Sequence, residues 1–167
     1  YLTHIGGLRV NSAVLYSPTA SKIILAAKER GLKGADELII DAIVHVLSRA
    51  NFDKHNVRLV PIPSSATNRR RRGRSFIPDI CNEISARTSI PVIPALKILR
   101  RVKDQSTLSA PARTKNMHGA FGIAQKIYPR GCTTTPLSPI CAAAVRVSVR
   151  HFTLYSSVSG FAARLMR

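Results

Sequence analysis

Four consecutive arginines, Arg69 to Arg72, follow a short apolar segment that ends in Pro61-Ile62-Pro63. Ser64, Ser65, Thr67 and Asn68 lie between the two, and Gly73 closes the run. Hydroxyl, amide and guanidinium groups all donate to anionic oxygen. The planar guanidinium fork grips a phosphate through two parallel bonds that a lysine ammonium cannot copy. The residue types therefore point to a phosphate-binding segment, with solvated surface charge as the competing reading for most of the four arginines. A second polar stretch, residues 100–118, holds Arg101, Lys103, Gln105, Arg113 and Asn116. It is long and lacks structure of its own, which is the mark of a functional or mobile loop. A disordered basic loop is its bland alternative.

Regular elements must position these segments. Residues 57–62 alternate and then run apolar, as a buried strand of a parallel sheet does, and Pro61 and Pro63 end it. In open α/β sheets ligands sit beyond the carboxyl ends of strands, which is where the arginine-rich segment begins. Residues 18–30 predict a helix, with Ser17 as N-cap, Pro18 next, an apolar stripe of Ile23, Ile24 and Ala27, and Gly31 as its stop. Residues 35–50 predict a second, with Leu38, Ile39, Ala42, Ile43, Val46 and Leu47 forming the apolar stripe. Asp36 and Glu37 fall in its first turn, where carboxylates suit the helix dipole. Residues 76–87 predict a third, with Ile77, Ile80, Cys81 and Ile84 facing inward. Residues 92–99 read as a strand weakened by Pro94, and another begins near Gly119. This β-α-β order predicts an α/β fold. Residues 140–149 read as a strand interrupted by arginine, and residues 151–167 show little periodicity.

The chain has 167 residues and 45% apolar content, enough for one domain with a buried core. Its formal charge is +18, from 26 basic and 8 acidic side chains, which favours polyanionic partners. All 8 acidic residues precede residue 105, and the 63 residues from there onward carry eight Lys or Arg and no carboxylate. Globular domains usually mix both signs, so a one-sign stretch of that length calls for a cause. Cys81, Cys132 and Cys141 have no metal-ligand spacing and read as reduced thiols. No apolar run reaches the roughly 18 residues of a membrane helix. The start lacks a charged and then apolar signal pattern. A cytoplasmic location is expected, and Tyr1 in place of Met leaves room for an upstream segment.

Taken in order, Leu59 to Pro63, Arg72-Gly73, Gln105, Leu108, Arg113, Asn116 and Gly119 to Phe121 resemble the ComF family. These competence protein F-like proteins are similar to type I phosphoribosyltransferases. Tyr16, Lys28 and Gly31 add a weaker match, and the resemblance covers residues 16–123. It implies a type I phosphoribosyltransferase-like α/β fold, a mostly parallel sheet flanked by helices, with its C-terminal part incomplete. Residues 1–130 would form that domain and residues 131–167 an unassigned tail. The implied reaction moves a 5-phosphoribosyl group from phosphoribosyl pyrophosphate to an unknown acceptor, with Mg²⁺ required. Ser64, Ser65, Arg69, Arg72 and Gly73 would hold the pyrophosphate. Arg72 with Gly73 matches the family turn, while Arg69 to Arg71 are more replaceable. Arg101, Lys103, Gln105, Arg113 and Asn116 would belong to the loop that closes over the diphosphate and excludes water. The family's N-terminal zinc ribbon of four cysteines has no counterpart here.

The family's ribose 5-phosphate loop, Asp-Asp-x-x-Thr-Thr-Gly, is also missing. In its place stands Gly131-Cys132-Thr133-Thr134-Thr135-Pro136-Leu137-Ser138, which leaves Thr133 and Thr134 as weak candidates for the 5-phosphate. Without carboxylates nothing holds the ribose hydroxyls and little helps retain Mg²⁺, a hard cation that wants oxygen ligands. Transfer is therefore expected to be impaired. A change of reading frame between Phe121 and Gly131 would account together for the lost acids, the lost motif and the weak periodicity. The rival is a divergent, catalytically silent member. A different class of function is a non-catalytic basic protein that binds nucleic acid or a competence helicase during DNA uptake. The charge suits it, but the five Phe and four Tyr form no stacking platform. A frame change predicts an Asp-Asp-x-x-Thr-Thr-Gly segment in another frame downstream of the Phe121 codon. Nucleotide sequencing checks this, and its absence from every frame leaves the divergent member.

Overall fold

The computed structural model describes residues 2–5, 8–15, 17–50, 57–102, 108–124, 141–148 and 151–157. In chain order, β1 (Leu2–Ile5) and β2 (Leu8–Ser12) lead to helices α1 (Pro18–Arg30) and α2 (Lys33–Arg49). Strand β3 (Val57–Pro61) is followed by α3 (Ala66–Arg72), α4 (Phe76–Thr88) and β4 (Leu96–Ile98). Helix α5 (Ala110–Met117), β5 (Phe121–Ile123), β6 (Cys141–Ser148) and β7 (His151–Ser157) complete the order.

The helices start and stop where their end residues require. The Ser17 hydroxyl accepts the Ala20 N–H at 3.1 Å, satisfying one of the donors orphaned at the start of α1. Gly31 ends it in the left-handed region at φ +65°, and the Gly31 and Leu32 N–H groups donate back to the Ala27 and Ala26 carbonyls. In α2 the buried positions are Ala35, Ile39, Ile40, Ile43 and Leu47. Leu38, placed on the apolar stripe by the sequence, instead faces outward at 55% exposure. Residues 35, 39, 43 and 47 repeat every fourth position and set the buried face, and Leu38 falls beside it. In α4, Ile77, Ile80, Cys81 and Ile84 face inward as expected, joined by Phe76. Together with Ile24 and Ala27 of α1 and Val57 and Leu59 of β3 they form one core. Burial pushes the Cys81 thiol up to about 12, so this sulfur acts as a small apolar filler.

The protein combines helices with sheet, but most strand pairings are antiparallel, where a mostly parallel sheet was expected. The larger sheet has the order β1-β2-β7-β6-β3. Its β1–β2, β2–β7 and β7–β6 pairs are antiparallel, and β3–β6 is parallel, running from Val57↔Cys141 to Pro61↔Val145. Short turns can join antiparallel strands, whereas parallel neighbours need a crossover. The predicted strand over residues 92–99 resolves into two pieces. Val92 makes a parallel bridge to Leu59, and only Leu96–Ile98 forms a strand. Pro94 lacks an N–H, so it cannot extend the ladder between those pieces. β4 pairs with β5 antiparallel, not parallel as a second crossover unit would require. Gly119, in the left-handed region at φ +63°, precedes β5, and the Leu99 N–H donates to Ala120. The last strand, β7, occupies residues that carry little sequence periodicity.

Ile39 and Ile84 are fully buried, so either substitution to alanine should cost about 2–5 kcal/mol of stability. Leu38→Ala should change it by less than about 0.5 kcal/mol. Chemical denaturation of the three variants checks this assignment of faces.

Candidate functional site

Strand β3 ends at Pro61, and residues 62–65 lead straight into α3. The segment expected as a loop is therefore a short helix that carries all four arginines. The Ser65 hydroxyl accepts the Asn68 N–H at 3.2 Å and so caps the helix, while the Ser64 carbonyl accepts from Arg69 Nη1 at 3.4 Å. Gly73 ends the helix at φ +67°, a conformation that would strain any side chain there, and its N–H donates to the Arg70 carbonyl.

The four arginines divide into two pairs. Arg72 donates from Nη2 at 2.8 Å and from Nε at 3.2 Å to Glu29 Oε1, and its side chain is only 6% exposed. Arg71 Nη2 donates to Glu29 Oε2 at 3.0 Å. One carboxylate at the end of α1 thus clasps two guanidiniums and holds α3 against α1. The hydrogen bond from Arg72 is the main reason that the Glu29 carboxyl lies below its ordinary range, and the charges of Arg72 and Arg71 add to it. Arg69 and Arg70 are exposed and have no carboxylate partner among the described residues. Arg72, the sharpest sequence candidate, is placed as an anchor, and Arg69 and Arg70 are placed as available donors.

Two further arginines, which the sequence reading did not single out, tie the helices together. Arg74 Nη1 donates to Asp36 Oδ2 at 2.7 Å, its Nε lies 3.5 Å from Asp79, and its guanidinium sits 5.1 Å from the Phe76 ring centroid. Arg87 on α4 pairs with Glu37, with Asp41 at 2.7 Å and with Glu83 at 3.2 Å. Every carboxylate among the described residues, Glu29, Asp36, Glu37, Asp41, Asp79 and Glu83, is therefore matched to an arginine. Helix-forming acids beside a basic loop were a legible signal for such pairing, but spacing alone could not assign the partners.

The second polar stretch is partly helical, against the expectation of no structure. Arg101 is exposed, and Lys103 and Gln105 lie outside the described residues. The Arg113 guanidinium turns back so that Nε donates to the Leu108 carbonyl at 2.8 Å. The Asn116 carbonyl accepts from Arg100 Nη2 at 3.0 Å, and the same nitrogen donates to the His118 carbonyl. Arg100, missed by the sequence reading, thereby joins the end of β4 to the end of α5, and it lines an open depression with Pro111, Lys115 and His118. The two candidate groups sit on different sheets, since α3 follows β3 and α5 joins β4 to β5. Thr133 and Thr134 lie outside the described residues.

No family model matches the sequence, and neither a curated protein nor a solved structure matches it. Function rests on the residues themselves. No helix among the described residues is long and apolar enough to cross a membrane. The Mg²⁺ that the family resemblance implies would need oxygen ligands. No group of three or more His, Cys, Asp or Glu gathers among the described residues, and the acid nearest α3, Glu29, is occupied by two arginines.

The Glu29 clasp gives a test by pH. Its folded pKa is depressed, so the stabilisation is fully present above the ordinary carboxylate value of 4.5 and is lost as pH falls through the lowered value. With Glu29 about a third exposed, solvent screening limits the contribution to about 1 kcal/mol or less. Glu29→Gln should lower stability near neutral pH by that amount, and the difference from the unchanged protein should shrink as pH falls below 4.5, which urea unfolding across that range would read.

Proposed function

We propose that the chain is a phosphoribosyltransferase-like domain of the ComF type in which the segment from Ser64 to Gly73 takes the diphosphate of phosphoribosyl pyrophosphate. The observation that carries this reading is the division of the four arginines. Arg71 and Arg72 fix α3 to α1 through Glu29, so Arg69 and Arg70 are presented from a braced helix beyond the carboxyl end of β3. The bracing fixes the backbone from which both donors project, and guanidinium forks neutralise the charge that develops on a departing diphosphate. Arg101, Arg113 and Asn116 belong to the stretch that would cover the ligand. The acceptor stays open. Transfer would be impaired, because no carboxylate follows residue 104 to hold the ribose hydroxyls.

The formal charge of +18 favours a second reading, a basic protein bound to nucleic acid or to a partner of DNA uptake. Salt separates the two. Backbone binding weakens linearly in log–log form over many contacts, whereas a diphosphate site saturates and is competed by free diphosphate.

Arg69→Ala/Arg70→Ala should weaken binding of inorganic diphosphate by about tenfold or more, since each charge-assisted bond contributes about 1.5–3 kcal/mol. Arg72→Ala should instead lower stability, and Lys22→Ala, a change on exposed α1 surface, should alter neither. Calorimetric titration with a denaturation curve for each variant checks this. Unchanged affinity in the double variant would remove the reading.

A further inference from the structure

The parallel register of β3 and β6 brings another arginine, with a serine and a histidine, to the end of the sheet where α3 begins. Pro61, the last residue of β3, pairs with Val145, and β6 continues through Arg146 and Val147 to Ser148. At the usual rise of a strand these three residues extend about 10 Å beyond the last β3 pair, alongside the segment that enters α3. Ser148 then pairs with His151 and Arg146 with Thr153, so β7 returns from the same end. The β6–β7 hairpin thus brings Arg146, Ser148 and His151 to the carboxyl end of β3, the end from which Ser64, Ser65, Arg69 and Arg70 depart.

We propose that the β6–β7 hairpin forms the second wall of the phosphate site and that the site takes an oligophosphate free of Mg²⁺. This rests on the phosphate-binding reading of Ser64 to Gly73 and names the ligand class for it. The chemistry of the donor set carries the inference. A Mg²⁺-bearing diphosphate needs oxygen ligands, or at least a carboxylate to retain the ion. Neither wall has one. Residues 105–167 contain no Asp or Glu, and the carboxylate of Glu29 is occupied by Arg71 and Arg72. Arginines on both walls repel a divalent cation and supply the neutralisation that the metal would otherwise give. A metal-free oligophosphate carries more negative charge than its Mg²⁺ complex, so it suits this rim better. The same absence leaves no carboxylate on either wall to hold ribose hydroxyls, and the recognised group is the oligophosphate itself.

Calorimetric titration of the full chain with inorganic diphosphate, in EDTA and again in excess Mg²⁺, tests the proposal. Binding should persist in EDTA and weaken severalfold when Mg²⁺ is in excess. Arg146→Ala should weaken it by about tenfold in EDTA. Arg146→Lys keeps the charge without the fork and guards against misfolding of the alanine variant; it should fall between the two. Binding that requires Mg²⁺, or wild-type affinity in Arg146→Lys and Arg146→Ala, would overturn the proposal while leaving diphosphate recognition by α3 intact. No binding under either condition would remove the phosphate-binding reading as well.

Discussion

The position of everything else depends on Leu59. Its side chain is fully buried, and its backbone is bonded on one edge to residues 91–93, with its N–H donating to Pro91 and its carbonyl accepting from Ile93, both at 2.9 Å. On the other edge β3 pairs with β6. A strand closed on both edges and packed by α4 cannot slip by one residue without turning its apolar side chains to the wrong face. That constraint fixes where Pro61 ends the strand. It therefore fixes where α3 begins, and which residues of β6 lie beside it.

Charge is distributed in a similarly economical way. Four carboxylates, Glu29, Asp36, Glu37 and Asp41, join separate helical segments through arginine, and among the described residues none is left unpaired beside α3 to compete for the cations there. Arg87 joins α4 to α2 through Glu37 and Asp41, and Arg74 joins the start of α4 to α2 through Asp36. Asp36 Oδ1 is buried with no hydrogen-bond partner in this arrangement, so that joint carries a desolvation penalty as well as a gain. Surface pairs of this kind contribute little each, but they join α1 to α3 and α2 to α4. The positive excess is then carried by side chains such as Arg69 and Arg70.

The helices were legible because their signals are local. Ser17, Pro18 and Gly31 mark the ends of α1, and the fourfold spacing of Ile39, Ile43 and Leu47 marks the buried face of α2. Strand β3 was legible from its apolar run and its prolines. The sheet was not, because register between β3 and β6 joins residues more than eighty positions apart, and no local pattern encodes it. The site was half legible. Arginine in a row announces an anion preference, but which arginine is an anchor depends on Glu29, some forty residues earlier. The matched turn Arg72-Gly73 drew attention to the residue that the structure commits to that carboxylate. For β7, the alternation of His151 to Ser157 is too weak to distinguish a strand from a tail.

The central claim is that diphosphate is recognised at the carboxyl end of β3, between α3 and the β6–β7 hairpin. Amide shifts of the isotope-labelled full chain during titration with inorganic diphosphate test it most directly. The account predicts saturable shifts concentrated at residues 64–73, at 146–148 and at His151, with the ends of α1 and α2 remote from α3 unmoved. Shifts spread over all exposed basic surfaces, or gathered around Arg100, Lys115 and His118 instead, would contradict it.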